Sequence, residues 1–185
     1  GGPPSCVRGL WGGTVSARFL VYGDTEIIQL KKKVYIETSI ISAYFDIRQD
    51  PKSRAMTYWT KEWWEEKKEK YDVVTSEAVR NELENGDYPT KENCLMMFEG
   101  IPLIEADAAK IRSTVIEYIR LHVMPGDPLG DALHLAVASV HCCHYLLTWN
   151  CKHLANANKF EHIRHVNNQL GLYVPTLTTP IELLS

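Results

Sequence analysis

The chain has no apolar run approaching the ~20 residues that a bilayer crossing requires. Its longest such stretches, including the one ending at Leu147, are interrupted by histidine and polar residues, so no membrane span is expected. It also has no excess of positive charge: 20 Lys and Arg against 23 Asp and Glu give a formal net charge of -3. General nucleic-acid binders carry a basic footprint, so any nucleic-acid site here must be local. The five cysteines, Cys6, Cys94, Cys142, Cys143 and Cys151, are odd in number and irregularly spaced. The first thirty residues hold no continuous secretory core, and Gly12, Gly13 and Gly23 interrupt any helix there, so a reducing cytoplasm is the expected location. There is no phosphate-cradling glycine motif and no nucleophile elbow, which argues against a P-loop enzyme and an α/β hydrolase. Internal repeats and low-complexity segments are absent too.

What is present is the material of one globular domain. The 185 residues are 45% hydrophobic and 23% charged, enough to build a core without help and too apolar for a disordered chain. Residues 1 to 30 read as an extension of no assigned role and 31 to 185 as the domain. From Val34 onward short apolar runs alternate with amphipathic stretches, the pattern of βαβ units, which predicts an α/β fold: helices in two outer layers around a central, mostly parallel sheet of about five strands. Strands are predicted at Val34 to Thr38, Tyr71 to Thr75, Leu103 to Glu105, Tyr145 to Trp149 and Leu172 to Leu177. Helical spacing follows the first strand at Ile40, Ile41, Tyr44 and Phe45, and Pro51 starts a second helix. On that helix Met56, Trp59, Trp63 and Trp64 form an aromatic stripe, read as core packing, with a charged face opposite. Ser76 is the expected N-cap of a helix from Glu77 to Asn85 that Gly86 ends. Further helices are predicted from Glu92 to Phe98, Ala108 to His122, Leu129 to Cys143 and Asn156 to Leu170, with a proline- and glycine-containing loop at 125 to 128.

In an open parallel sheet the binding crevice lies beyond the carboxyl ends of the strands. The first strand runs VYI into Glu37, Thr38 and Ser39, and the strand YLLTW runs into Asn150. If those strands are neighbours, a carboxylate and an amide converge there, a pair of oxygen donors suited to a hard cation. Asp131 begins the helix before the second of these strands and would face the same crevice, although an acid in a first turn also serves the helix dipole. Glu82 lies inside the helix after strand two, where an exposed surface charge is the plain reading. The set of three acids and one amide says more than any member.

Three blocks carry a family resemblance. VYIETSIISAYF resembles the opening of the PIN-domain family, in which a strand delivers an acid followed by Thr and then Asn or Ser. VTSEAVRNELENG resembles the second PIN block, whose acid stands six residues after a Ser and so selects Glu82 over Glu77 or Glu84. GDALHLAVASVHCCHYLLTWNCKHLAN resembles the third, with the family's third acid at Asp131, its fourth position at Asn150 and a Thr, here Thr148, two residues earlier. The resemblance spans roughly residues 33 to 180. It implies a metal-dependent nuclease, and specifically a VapC-type toxin that cleaves RNA with Mg²⁺ or Mn²⁺ and is restrained by an antitoxin protein. Glu37, Glu82, Asp131 and Asn150 would then be catalytic and metal-binding, with Thr38, Ser39, His134, Thr148, Lys152 and His153 supporting them or touching RNA. PIN toxins commonly dimerise, and the aromatic helix after Pro51 offers an apolar interface.

Two departures from the family pattern stand out. Glu37 replaces the usual Asp, one methylene longer, and Asn150 replaces a frequent Asp, leaving three formal charges instead of four. They motivate an alternative, a PIN domain with weakened or lost catalysis that binds RNA or protein. His141, Cys142, Cys143, His144, Cys151 and His153 raise the question of zinc, but their spacing fits no common four-ligand pattern. A basic group at Lys152, His153, Lys159, His162, Arg164 and His165 follows Asn150, as solvated helix faces or as phosphate contacts.

Overall fold

The computed structural model describes residues 30 to 184, apart from 106 and 125 to 128; the N-terminal extension and the loop at 125 to 128 therefore lie outside the described residues. The first strand, β1 (Lys32–Ile36), is followed by α1 (Thr38–Tyr44), α2 (Pro51–Glu66) and a 3₁₀ turn at Lys68–Lys70. Then come β2 (Tyr71–Val74), α3 (Glu77–Asn85), α4 (Lys91–Glu99), α5 (Ala108–Arg120) and α6 (Asp131–Val140). The chain finishes with β3 (Tyr145–Leu147), α7 (Ala157–Gln169), β4 (Thr176–Thr178) and a 3₁₀ turn at Pro180–Leu183.

Val34, Tyr35 and Ile36 of β1 are fully buried, as a strand covered by helices on both faces must be. The sheet is wholly parallel with strand order β2-β1-β3-β4. From β1 the chain first steps outward to β2 and then returns past β1 to β3. Because parallel crossovers are right-handed, that reversal lays helices on opposite faces and opens the crevice between the carboxyl ends of β1 and β3. Val34, Tyr35 and Ile36 pair with Tyr145, Leu146 and Leu147 there, and the Glu37 amide extends the ladder by donating to the Leu147 carbonyl at 3.4 Å.

Among the described residues the sheet has four strands where about five are predicted. Leu103 makes a single parallel bridge with Thr75, held by the Thr75 amide on the Pro102 carbonyl at 3.0 Å and the Ile104 amide on the Thr75 carbonyl at 2.9 Å. Pro102 brings no donor and Leu103 is exposed, so nothing extends the bridge into a strand. Similarly Pro175 cannot donate, and β4 begins only at Thr176, whose amide reaches the His144 carbonyl at 2.9 Å.

Three helices stop one to three residues short of their predicted ends, and for the same reason. After α5, α6 and α7 the residues His122, Cys142 and Gly171 adopt φ of 55°, 54° and 67°. In each case the next amide donates five residues back, from Val123 to Tyr118, Cys143 to Ala138 and Leu172 to Asn167, at 2.8 to 2.9 Å. This is the Schellman ending, which satisfies carbonyls the helix leaves open. Glycine is the easy residue for it; two of the three positions use others.

Helix α6 is the central one, with Ala132 and every residue from His134 to Val140 buried, and it packs on α5. Its carboxyl end leads straight into β3, so its amino end, carrying Asp131, is held above the crevice. Among the described residues no helix is long and apolar enough to cross a membrane.

Candidate active site

Glu37 leaves β1 as the N-cap of α1 and is 6% exposed. Its carboxylate accepts the Ser39 amide at 3.0 Å and the Ser39 hydroxyl. Burial pushes its pKa upward, against the opposing pull of His134 and of the Ser39 and Thr148 hydroxyls. Ser39 also accepts the Trp149 amide at 2.8 Å, so the exits of β1 and β3 are tied through one hydroxyl.

Glu82 enters from α3, where its carboxylate accepts the Thr38 hydroxyl and His134 Nε2 at 3.0 Å. Burial would raise its pKa, but the imidazole and the Thr38 hydroxyl hold it below the ordinary carboxylate value. Glu77 instead pairs with Arg80 on the exposed side of the helix and Glu84 faces solvent, so Glu82 is the acid of this block that the fold turns inward.

His134, one turn after Asp131 on α6, is buried and stands at the hub. Its Nδ1 lies 2.8 Å from the Tyr35 hydroxyl, which lies 2.8 Å from the Ser76 hydroxyl. With Nε2 donating to Glu82, the neutral ring accepts from Tyr35 and Tyr35 accepts from Ser76. Burial depresses the imidazole pKa, yet the Glu82 hydrogen bond and the charges of Glu82, Glu37 and Asp131 outweigh it, so the net shift is upward. All three acids thus act on one ring. Asp131, in the first turn of α6, accepts the Asn150 side-chain amide at 2.7 Å. Asn150 in turn accepts the His153 backbone amide at 3.1 Å through Oδ1, and its own backbone amide donates to the Thr148 hydroxyl at 2.8 Å.

The fold therefore brings Glu37, Glu82, Asp131 and Asn150 to one crevice along with Thr38, Ser39, His134 and Thr148. Lys152 and His153 follow directly, Lys152 exposed. The rest of the basic group is divided: Arg164 pairs with Glu161 at 2.6 Å, and His162 meets the Leu121 carbonyl at 2.9 Å. In donor chemistry the site suits a hard divalent cation, with carboxylate and amide oxygens around one crevice. In geometry each acid is turned to a protein partner: Glu37 to Ser39, Glu82 to Thr38 and His134, Asp131 to Asn150. Among the described residues no three His, Cys, Asp or Glu side chains stand close enough to share an ion. The cysteine and histidine stretch after α6 gathers no ligand set either: Cys143 is buried, Cys151 exposed.

Comparison with known proteins adds a fold likeness and little else. No family model matches the sequence, and no curated protein matches it. A solved structure described as FitAcB from Neisseria gonorrhoeae resembles it at 16% identity, covering 81% of this chain and 99% of that one, with a TM-score of 0.46. A likeness that weak carries no argument.

Two members of the network escape the sequence reading. Tyr35 sits two residues before Glu37 on the same face of the strand, a placement the alternation of β1 makes readable. Ser76 holds its expected N-cap position, but its side chain makes no capping bond because the hydroxyl is engaged by Tyr35.

Proposed function

We propose that this chain is a PIN-type, divalent-metal-dependent ribonuclease, working as the toxin of a toxin-antitoxin pair. The observation carrying the reading is the meeting of Glu37 and Asn150 at the carboxyl ends of adjacent parallel strands, with Asp131 hydrogen-bonded to Asn150 and Glu82 joined to the crevice through His134. These are the four positions that the three sequence blocks single out independently.

When bound, Mg²⁺ or Mn²⁺ would activate water and neutralise charge on the phosphodiester. Glu37, Asp131, Glu82 and Asn150 are the residues that would hold it. The chain's own contribution is positional. Ser39 fixes the Glu37 carboxylate, and the Ser76, Tyr35 and His134 chain fixes Glu82 from behind, the arrangement by which outer partners orient acids. Against burial, the Glu82 hydrogen bond and the charges of Glu82, Glu37 and Asp131 hold the His134 pKa above its ordinary value, so the ring stays cationic to a higher pH than a free imidazole. Lys152 and His153 stand next to Asn150 for contact with the phosphate backbone. An antitoxin and a homodimer belong to the same proposal; Tyr58, 63% exposed, is the large hydrophobic side chain that α2 leaves uncovered among charged neighbours.

The competing reading, a catalytically silent PIN domain that binds RNA or protein, is favoured by the engagement of every acid with a protein donor. RNA cleavage by purified protein with Mn²⁺ or Mg²⁺ against EDTA, beside an Asp131→Ala variant, separates the two. Metal-dependent cleavage lost in the variant supports the nuclease. No cleavage of structured or single-stranded RNA, with no metal-induced rise in melting temperature, leaves the binding module.

A further inference from the structure

The aromatic stripe of α2 does not act as one core face. Trp63 is fully buried, whereas Met56 and Trp59 are half-buried and turn toward the carboxyl end of β3. There they line a cavity of about 400 Å³ together with Trp149 and Asn150, with Lys52 and Lys152 on its rim. That volume is in the range of small-ligand pockets. One wall is fixed: the Trp149 indole donates to the Thr60 hydroxyl at 2.7 Å and its backbone amide to Ser39 at 2.8 Å. Asn150 belongs to this wall and also binds Asp131, so the cavity and the acid crevice share a residue.

We propose that this cavity is a base subsite: one unpaired nucleobase of single-stranded RNA enters beside Trp59 and Trp149, while Lys52 and Lys152 hold the phosphates flanking it. The inference rests on the ribonuclease reading above and names the form of RNA that the site takes. Chemistry selects this occupant. Aromatic side chains with paired lysines at the rim form the stacking and charge-tracking surface by which single strands are bound, whereas a duplex keeps its base faces covered. A chain with net charge -3 also needs a local basic contact to hold RNA at all. Asn150 places the base next to the phosphate presented to Glu37 and Asp131.

The test is fluorescence anisotropy of a fluorescein-labelled octauridylate in EDTA, where binding is read without cleavage. Trp59→Leu is expected to weaken binding roughly tenfold or more, the size of one base–aromatic stack, while Trp59→Phe retains most of it. Lys52→Ala with Lys152→Ala should flatten the salt dependence of log K by about 0.7 per lost contact. Equal affinity of Trp59→Leu and the parent, or no binding of octauridylate by the parent, overturns the proposal. Should Trp59→Leu fold poorly, photocrosslinking of 4-thiouridine RNA to the parent decides: crosslinks within residues 52 to 59 or 149 to 152 support the subsite, and crosslinks elsewhere alone overturn it. The two readings fail separately. Trp59-dependent binding without metal-dependent cleavage removes the nuclease and keeps the subsite; cleavage with unchanged KM in Trp59→Leu does the reverse.

Discussion

Replacing Tyr35 with phenylalanine removes one oxygen from the centre of the domain and nothing else of size. The ring keeps its place in β1, fully buried, so the packing term is close to zero. The hydroxyl, however, is the shared partner of the Ser76 hydroxyl and of His134 Nδ1, both at 2.8 Å and both buried. Tyr35→Phe therefore leaves two buried polar atoms without it, and a buried group left unsatisfied costs ~1–3 kcal/mol. At ~2–4 °C per kcal/mol for a domain of this size, the melting temperature should fall by about 2–12 °C. Calorimetry or urea unfolding reads this directly. A cycle with Ser76→Ala tests the cause, because taking away both partners of a hydrogen bond costs less than taking one. The double variant should lose less than the sum of the singles. Equal or higher stability of Tyr35→Phe would refute the reasoning, since it would mean that the hydroxyl is not held as described and that His134 is not anchored through it.

Three further perturbations have definite signs. The raised pKa of His134 makes a contribution to stability that is complete below the unfolded value and lost as pH rises through the folded one; the lowered pKa of Glu82 makes one present above its unfolded value and lost as pH falls through its folded one. Urea unfolding across pH 3 to 9 should thus show a stability maximum between these limits that flattens in Glu82→Gln. Mn²⁺ should raise the melting temperature of the parent and not of Asp131→Ala, by ~2.7 kcal/mol of stabilisation at a hundredfold excess over Kd; equal shifts in both would place the ion elsewhere. His122 is exposed with φ 55°, so His122→Gly should stabilise the domain by up to about 1 kcal/mol in urea unfolding, by relieving a left-handed residue.

Much of the fold was legible because its signals are local. The β1 run, the Pro51 start of α2 and the Glu77 to Asn85 helix declare themselves through apolar spacing and capping chemistry. What failed depends on single atoms or on distant partners. Pro102 and Pro175 lack a donor that a strand needs, which composition alone undervalues. The helix ends at His122 and Cys142 use a left-handed residue that no glycine announces. At the candidate site, the four positions came from the motif blocks, and the strand order then explains why they meet. The Tyr35, Ser76 and His134 chain was not legible, because it joins β1, α3 and α6 through side-chain contacts of long sequence separation. The aromatic stripe of α2 reads as core packing, which holds for Trp63 and Trp64 and not for Met56 and Trp59, for a related reason: spacing tells which residues share a face, not what stands opposite.

Glu37 and Asn150 make more sense together than singly. Asn150 donates its side-chain amide to Asp131 at 2.7 Å, a bond that an aspartate at the same position could not make and would replace with repulsion. A neutral fourth residue thus lowers the repulsion among the acids of the crevice, each carboxylate accepting from a protein donor. Glu37 behaves alike: its carboxylate accepts the Ser39 amide and hydroxyl. Both side chains keep an oxygen that can ligate, and burial pushes the Glu37 pKa upward. A cation arriving there would meet carboxylates already oriented by these partners, the role that outer hydrogen bonds play around ligating acids.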